Sequence, residues 1–202
     1  MDQGDLTTQA RILDVAVKLL LTTPADELTT RRIASEAGVN VAAINYHFRS
    51  KDELVNRAME VATANAYEMG LRVLLAPGKD PMVRLQEYLG GYVKGLVSFS
   101  SLTRTAFLGL FRKEDSTTFY GRYLKEMLEK VGQVIAEARG QGAVEQDSAA
   151  TALMVLGCVV FPFLVGNTAR ETGAVDYSND DARRRFIDTT LTRLVGGDRK
   201  EK

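Results

Sequence analysis

Residues 28–51 read LTTRRIASEAGVNVAAINYHFRSK, and this stretch decides the fold. Thr29 is a preferred residue type for beginning a helix and Gly38 is suited to ending one, which predicts a short helix over about 30–37. Asn40 is suited to begin a second helix of only seven or eight residues. Two short helices joined by a turn of three or four residues that contains glycine predict a helix-turn-helix.

Apolar side chains mark the inner faces of these two helices by their three- and four-residue spacing. They are Ile33, Ala34 and Ala37 on the first helix, Val39 in the turn, and Ile44 and Phe48 on the second. The small side chain of Ala34 allows the helices to cross closely. The second helix then turns a different set largely outward: Ala42, Ala43, Asn45, Tyr46 and His47.

The outward face of the second helix suits DNA. The small side chains of Val41, Ala42 and Ala43 let the backbone approach the major groove, where their methyl groups can meet thymine methyl groups. Asn45 can bind adenine through two hydrogen bonds, and its alternatives are a phosphate contact and an inert surface position. The sequence therefore predicts that this face of the helix lies against DNA.

Phosphate contacts are expected at both ends of the motif. The candidate donors are Thr29, Thr30, Tyr46 and His47, and Asn40 is also expected among the DNA-binding residues. A capping or inert surface role is the alternative for His47. A catalytic role for His47 would need a nucleophile and an orienting acid nearby, and residues 28–54 suggest neither.

Charge agrees with this interpretation locally, although the whole chain has 26 Lys and Arg against 26 Asp and Glu. Residues 28–51 carry four basic side chains and one acidic one, a net charge of +3, whereas residues 1–27 carry two basic and five acidic ones, a net charge of −3. A basic patch on an otherwise neutral protein suits a modest phosphate footprint.

The motif resembles the TetR family of transcriptional regulators. The resemblance rests on LTTRRIA at 28–34, on AGV at 37–39 and on INYHFRSKDEL at 44–54. Together with a predicted helix over 8–21 it covers about the first 55 residues. The family's usual Leu-Tyr before the aromatic-His-Phe triplet is Ile44-Asn45 here.

The resemblance implies a homodimer that binds a roughly palindromic DNA operator, usually as a repressor, and releases it when a small molecule enters the C-terminal domain. It also implies that the matching positions lie at or near the DNA: Thr30, Arg31, Val41, Ala43, Tyr46, His47 and Lys51. Repression is expected rather than activation because it is the more usual role in the family.

The rest of the 202-residue chain is also helical in pattern, so the predicted fold class is all-α with about nine helices. These are expected near 8–21, 30–37, 40–49, 51–75, 82–100, 103–113, 117–139, 147–171 and 180–195. Ser50 and Glu53 form the Ser-x-x-Glu pattern of a capping box at the start of the fourth helix. We expect a three-helix DNA-binding head over 1–54 and a larger ligand-binding and dimerisation bundle over 55–202.

Aromatic side chains predict an effector pocket in the second domain, because eight of the 15 lie between Tyr88 and Tyr123. The candidate lining residues are Tyr92, Phe99, Phe107, Phe111, Tyr123, Met154, Cys158 and Phe161. Such a set favours a small apolar or aromatic effector. The alternative for each residue is an ordinary place in the core.

An uncharged run over 149–166 predicts a helix buried in a core or an oligomer interface. It has the length of a marginal membrane span, but Pro162 lies inside it and charged anchors do not flank it, so no membrane contact is expected. We expect the homodimer to form through the helices near 147–171 and 180–195. Gly157 and Gly166 would permit close helix approach.

Other kinds of chemistry lack candidates. One cysteine and one histidine exclude an intramolecular disulfide and give no zinc site, so no metal, cofactor or catalytic site is predicted. The acidic pairs Glu114-Asp115 and Asp180-Asp181 are expected at helix starts, where they favour the helix dipole. The acidic N-terminus lacks the pattern of a signal peptide, which predicts a cytoplasmic protein.

The predicted function is therefore a ligand-responsive DNA-binding regulator and not an enzyme. The alternative is a helical ligand- or partner-binding protein that keeps a degenerate helix-turn-helix. An enzyme that uses carboxylate side chains is the third and least favoured interpretation.

Overall fold

The computed structural model describes residues 3–100, 103, 119–140 and 145–196, and every regular element in these ranges is a helix. The nine helices there are α1 (Gln3–Leu20), α2 (Thr30–Ala37), α3 (Val41–Phe48), α4 (Lys51–Leu74), α5 (Pro81–Ser98), α6 (Phe119–Arg139), α7 (Glu145–Val165), α8 (Asn167–Glu171) and α9 (Asp180–Leu194). The predicted all-α fold class is confirmed.

Two predicted helix boundaries are wrong. The first helix begins at Gln3 rather than near residue 8. The single helix expected over 147–171 is broken at Gly166 into α7 and α8, because Gly166 adopts φ 47° and ψ −107°, which ends the helical path. The helix expected over 103–113 lies outside the described residues apart from Thr103, which is helical.

The chain divides into two compact units, Met1–Tyr67 with Phe99–Asp115 and Glu68–Ser98 with Ser116–Lys202. All three helices of the expected DNA-binding head lie in the first unit. A functional boundary between residues 54 and 55 stays a prediction, since α4 runs unbroken across that position.

The first unit is held together by α1, α2 and α3, which pack against one another. Its core consists of fully buried side chains that include Ile12, Leu20, Leu28, Ile33, Ile44 and Phe48. Burying a side chain of this size contributes about 1.5–3 kcal/mol relative to leaving it in water. A core of this kind fixes the two short helices, which would be marginal on their own in water.

The second unit is built from α5, α6, α7 and α9, which pack against one another, and Arg139 on α6 donates to the carbonyl oxygen of Leu194 on α9 at 2.9 Å. Leu85, Leu89, Val131, Ile135, Val155, Val159 and Leu191 form its core. Gly132 brings α6 close to α7, since a Cβ atom there would lie 3.3 Å from the carbonyl oxygen of Ser148.

Helix α7 is the most apolar helix of the described chain. By length and composition its segment Asp147–Val165 could cross a membrane, with a mean hydropathy of 2.2, and 33% of that segment is buried. Val155 and Val159 are fully buried, whereas Leu153 is 60% and Phe161 64% exposed. The expected helix buried on all sides is therefore buried on one side only within a single chain.

Candidate DNA interface

Helix α2 begins and ends at the two residues that the sequence indicated. Thr29 caps its start, since the Thr29 side chain accepts a hydrogen bond from the N–H of Arg32 at 3.2 Å. Gly38 ends it in the left-handed conformation, with φ 62° and ψ 39°. The N–H groups of Gly38 and Val39 then donate to the carbonyl groups of Ser35 and Ala34, which is the Schellman arrangement.

Helix α3 begins at Asn40, whose Oδ1 accepts a hydrogen bond from the N–H of Ala43 at 2.8 Å. Such a cap typically stabilises a helix by about 1 kcal/mol. The bond uses Oδ1, so Nδ2 is the group of Asn40 that can donate to DNA. Ile44 and Phe48 are buried beneath the helix, as their spacing predicted.

The opposite face of α3 is open to solvent. Ala42, Asn45 and Tyr46 are exposed, with Tyr46 73% accessible, and Val41, Ala43 and His47 are partly exposed. The rings of Tyr46 and His47 meet edge to face with their centroids 5.0 Å apart. The structure thus brings the predicted α3 contacts together on one surface, and their role in DNA binding stays a prediction.

Lys51 opens α4 and also touches the loop before α2. The Ser50 hydroxyl accepts a hydrogen bond from the N–H of Glu53 at 3.1 Å, which is one half of the predicted capping box. The Lys51 Nζ donates to the carbonyl oxygen of Asp26 at 3.4 Å. Sequence reasoning missed this contact, because nothing in the local pattern links two residues that are 25 positions apart.

Positive charge on the first unit is left exposed. Arg31, Arg32 and Arg49 are all exposed, and none of the three forms an ion pair within the described part of the chain. Glu36 is the one acidic residue between positions 28 and 51 and is exposed as well. The surface that carries α3 can therefore meet phosphate without first breaking internal ion pairs.

The predicted effector residues are distributed over several surfaces. Tyr92 on α5 is half-buried and stacks on Tyr88, with ring centroids 6.2 Å apart. Burial raises the pKa of Tyr92 to about 12. Tyr123 on α6 is also half-buried.

Three other predicted effector residues, Met154, Cys158 and Phe161, lie on the exposed side of α7. Phe99 is 39% exposed and belongs to the first unit. Phe107 and Phe111 lie outside the described residues. Ligand contact by any of these side chains stays a prediction. The described ranges contain no group of three His, Cys, Asp or Glu side chains that could hold a metal ion.

Comparison with known proteins gives a consistent picture. Residues 12–58 match the family described as bacterial regulatory proteins, tetR family. An HTH-type transcriptional regulator from the dhlA 5′ region of Xanthobacter autotrophicus is 29% identical over 167 residues, which are 77% of this chain and 75% of the relative. The HTH-type transcriptional regulator AcrR of Shigella flexneri is 33% identical over 82 residues, 41% of this chain and 38% of AcrR.

The fold is also similar to that of solved structures. A protein from Mesorhizobium loti that is assigned to the TetR family of transcriptional regulators has a TM-score of 0.70 and 18% identity, and the likeness covers 97% of this chain and 98% of that one. The family match over residues 12–58 includes α2 and α3 in full, and the likeness in fold extends over both compact units.

Proposed function

Because this chain belongs to the TetR family of bacterial transcriptional regulators, we propose that it is a homodimeric repressor that binds a palindromic operator and is released by a small apolar or aromatic effector. Regulators of this family bind DNA and typically dimerise, and the family is not one of enzymes. The observation that carries the proposal is the exposed face of α3 beside arginines that form no ion pair within the described part of the chain. Because the proposed target is bacterial DNA, we expect the protein in the cytoplasm.

In this proposal α3 lies in the major groove. The small side chains of Val41, Ala42 and Ala43 permit close approach, and Asn45 reads a base edge. Tyr46, His47 and Lys51 hold the phosphates on one side, and the capped start of α2, with Thr29, Thr30 and Arg31, holds them on the other. Both helix starts are fixed by side-chain caps, so the reading surface is formed before DNA arrives.

A second copy of the chain is the proposed cover for the exposed face of α7. Leu153, Met154, Phe161 and Leu164 are each 48–64% exposed, and they fall along one side of the helix. A symmetric dimer requires a self-complementary apolar patch, which one helix packed on its own copy supplies. Helix α9 buries Ile187 and Leu191 in its own unit, so it would contribute mainly the polar rim.

Effector control is proposed to act through α4. This helix begins three residues after α3 and continues without a break to Leu74, in the second unit. An effector bound near Tyr92 and Tyr123 that tilts α4 would change the distance between the two recognition helices of a dimer. That distance must match half-sites about 34–36 Å apart. A coupling free energy of about 1–3 kcal/mol would change operator affinity roughly 5–150-fold.

The first experiment is selection of purified protein on a randomised duplex DNA library at about 0.15 M salt, where exposed charges are already screened. We expect enrichment of a near-palindrome. A folded, dimeric protein that enriches no sequence would contradict the DNA-reading part of the proposal. The enriched duplex then serves as the probe in a screen of apolar and aromatic compounds. If saturation with every compound that binds the protein leaves operator affinity unchanged, effector control is contradicted.

A further inference from the structure

Arg49 adopts a backbone conformation that disfavours a side chain. Its φ is 54° and its ψ is −39°, and every other described residue with a positive φ is a glycine. The N–H of Arg49 still donates to the carbonyl of Asn45 at 3.1 Å, while the N–H of Ser50 donates to the carbonyl of Phe48 across it. A turn of this kind with positive φ is rare and strained for a residue that has a Cβ atom.

The fold does not explain why this position holds arginine instead of glycine. The Arg49 side chain is exposed and makes no hydrogen bond or ion pair within the described part of the chain. It therefore offers no internal contact that offsets the strained backbone. Backbone strain that no internal contact offsets is typical of residues that bind a ligand or partner.

The position of Arg49 points to the partner. Its N–H completes the last helical hydrogen bond of α3, so its Cα continues the exposed face of the helix that contains Ala42 and Asn45, which lie seven and four residues earlier. In the proposed complex, a cation at the C-terminal end of this exposed face of α3 lies where the helix leaves the major groove and the DNA phosphate backbone passes. A guanidinium can hold a phosphate through two parallel hydrogen bonds.

We infer that Arg49 is a DNA-phosphate contact of this regulator, additional to the contacts that the sequence motif indicates. The inference rests on the proposed DNA reading by α3. The strained turn is the cost of placing a cation at the C-terminal end of the recognition helix, where glycine would fold with less strain but bind nothing.

Three variants of the full-length protein separate charge from backbone: Arg49→Lys, Arg49→Ala and Arg49→Gly. We expect Arg49→Ala and Arg49→Gly to lose operator affinity equally, by roughly fivefold per protomer at 0.15 M salt and so by about 25-fold for a dimer. The slope of log Kd against log salt concentration should fall by about one per protomer. Arg49→Lys should keep most of the affinity and the full slope.

Thermal unfolding gives the second readout. Arg49→Gly should melt at a higher temperature than Arg49→Ala, because only glycine relieves the turn. The two variants should therefore differ in stability but agree in DNA affinity. Arg72→Ala, which removes an equal charge from an exposed position on α4 in the second unit, should bind the operator like the wild type.

Two results would overturn the inference. Wild-type affinity in Arg49→Ala would show that the guanidinium contacts no phosphate. A DNA affinity that follows the melting temperature, with Arg49→Gly and Arg49→Ala unequal, would show that Arg49 acts through the shape of the turn. A wild-type protein that selects no DNA sequence would overturn the proposed function and this assignment together, so the two failures are distinguishable.

Discussion

The Lys51 side chain has one contact within the fold and, in the proposed function, a second one with DNA. Its contact with the carbonyl oxygen of Asp26 is long, at 3.4 Å, and partly exposed. A neutral acceptor at that distance forms a weak hydrogen bond, whereas a phosphate offers a charged one. The ammonium also has two further donors, so it can keep the loop contact and reach a phosphate at once.

Replacing Lys51 and Asn45 should therefore have different effects. Lys51→Ala should weaken binding to all DNA sequences and flatten the salt dependence, because it removes a phosphate contact. Asn45→Ala should change the preference among sequences, because it removes a base contact. Binding titrations against the selected operator and its single-base variants measure both. A uniform loss in Asn45→Ala would remove Asn45 from the base-reading residues.

Tyr92 should make the protein sensitive to alkaline pH. Burial raises its folded-state pKa to about 12 from the ordinary value of 10.0. Between these values the unfolded chain releases the phenolic proton and the folded chain retains it. The contribution of the protonated Tyr92 hydroxyl to the free energy of unfolding is thus complete below pH 10 and is lost as the pH rises towards 12. Urea unfolding should show that the free energy of unfolding of the wild type falls by about 1 kcal/mol more than that of Tyr92→Phe between pH 9 and pH 11. Equal losses would contradict burial of the hydroxyl.

At the scale of elements, the C-terminal end of α4 is held tightly to the second unit. The buried guanidinium of Arg84 donates to the carbonyl oxygen of Leu74 at 3.3 Å and pairs with Glu137 on α6. A few residues earlier, a Cβ atom at Gly70 would lie 2.9 Å from the ring of Tyr88. The Tyr88 ring on α5 therefore occupies the space that a side chain at position 70 of α4 would need.

Gly70→Ala should consequently destabilise the protein by about 1–3 kcal/mol, because the Tyr88 ring must move against its stacked neighbour Tyr92. The matched control is Gly91→Ala in α5, where an added Cβ meets nothing within 4 Å. That control should stabilise the helix by up to about 1 kcal/mol. Denaturant unfolding measures both changes. Stabilisation by Gly70→Ala would mean that α4 and α5 are not in close contact in solution.

At the scale of the whole molecule, the oligomeric state can be read through the single thiol of the chain. Cys158 is exposed on the apolar side of α7, between Met154 and Phe161. If a second copy covers this side, the thiol is shielded in the dimer. The chain contains one cysteine, so a thiol-specific reagent reports on that surface alone.

Phe161→Asp should convert the dimer into a monomer and speed the reaction of Cys158 with a thiol reagent, because it places a charge in an apolar interface. Light scattering and the labelling rate measure the two effects. Met69→Asp is the matched control, since Met69 is 69% exposed on α4 and should leave both readouts unchanged. A wild-type protein that is monomeric at micromolar concentration and labels as fast as Phe161→Asp would contradict the proposed dimer.

Features that depend on neighbours within about four residues could be predicted from residue types and their spacing. The caps at Thr29 and Asn40, the left-handed Gly38 and the buried pair Ile44 and Phe48 all follow from residue type and spacing, and the structure confirms each. These features are local, because a cap or a helical face involves only the adjacent turn of backbone. They suffice to predict the helix-turn-helix.

Features that join distant parts of the chain depend on how the helices pack and could not be predicted from local spacing. The contact from Lys51 to Asp26 spans 25 residues, and the pair of Arg84 and Glu137 spans 53. The exposed side of α7 is of the same kind, because the helix is apolar nearly all round and its own pattern does not say which side the other helices cover. Which side of α7 stays exposed is settled by packing between helices, and spacing within one helix does not encode it.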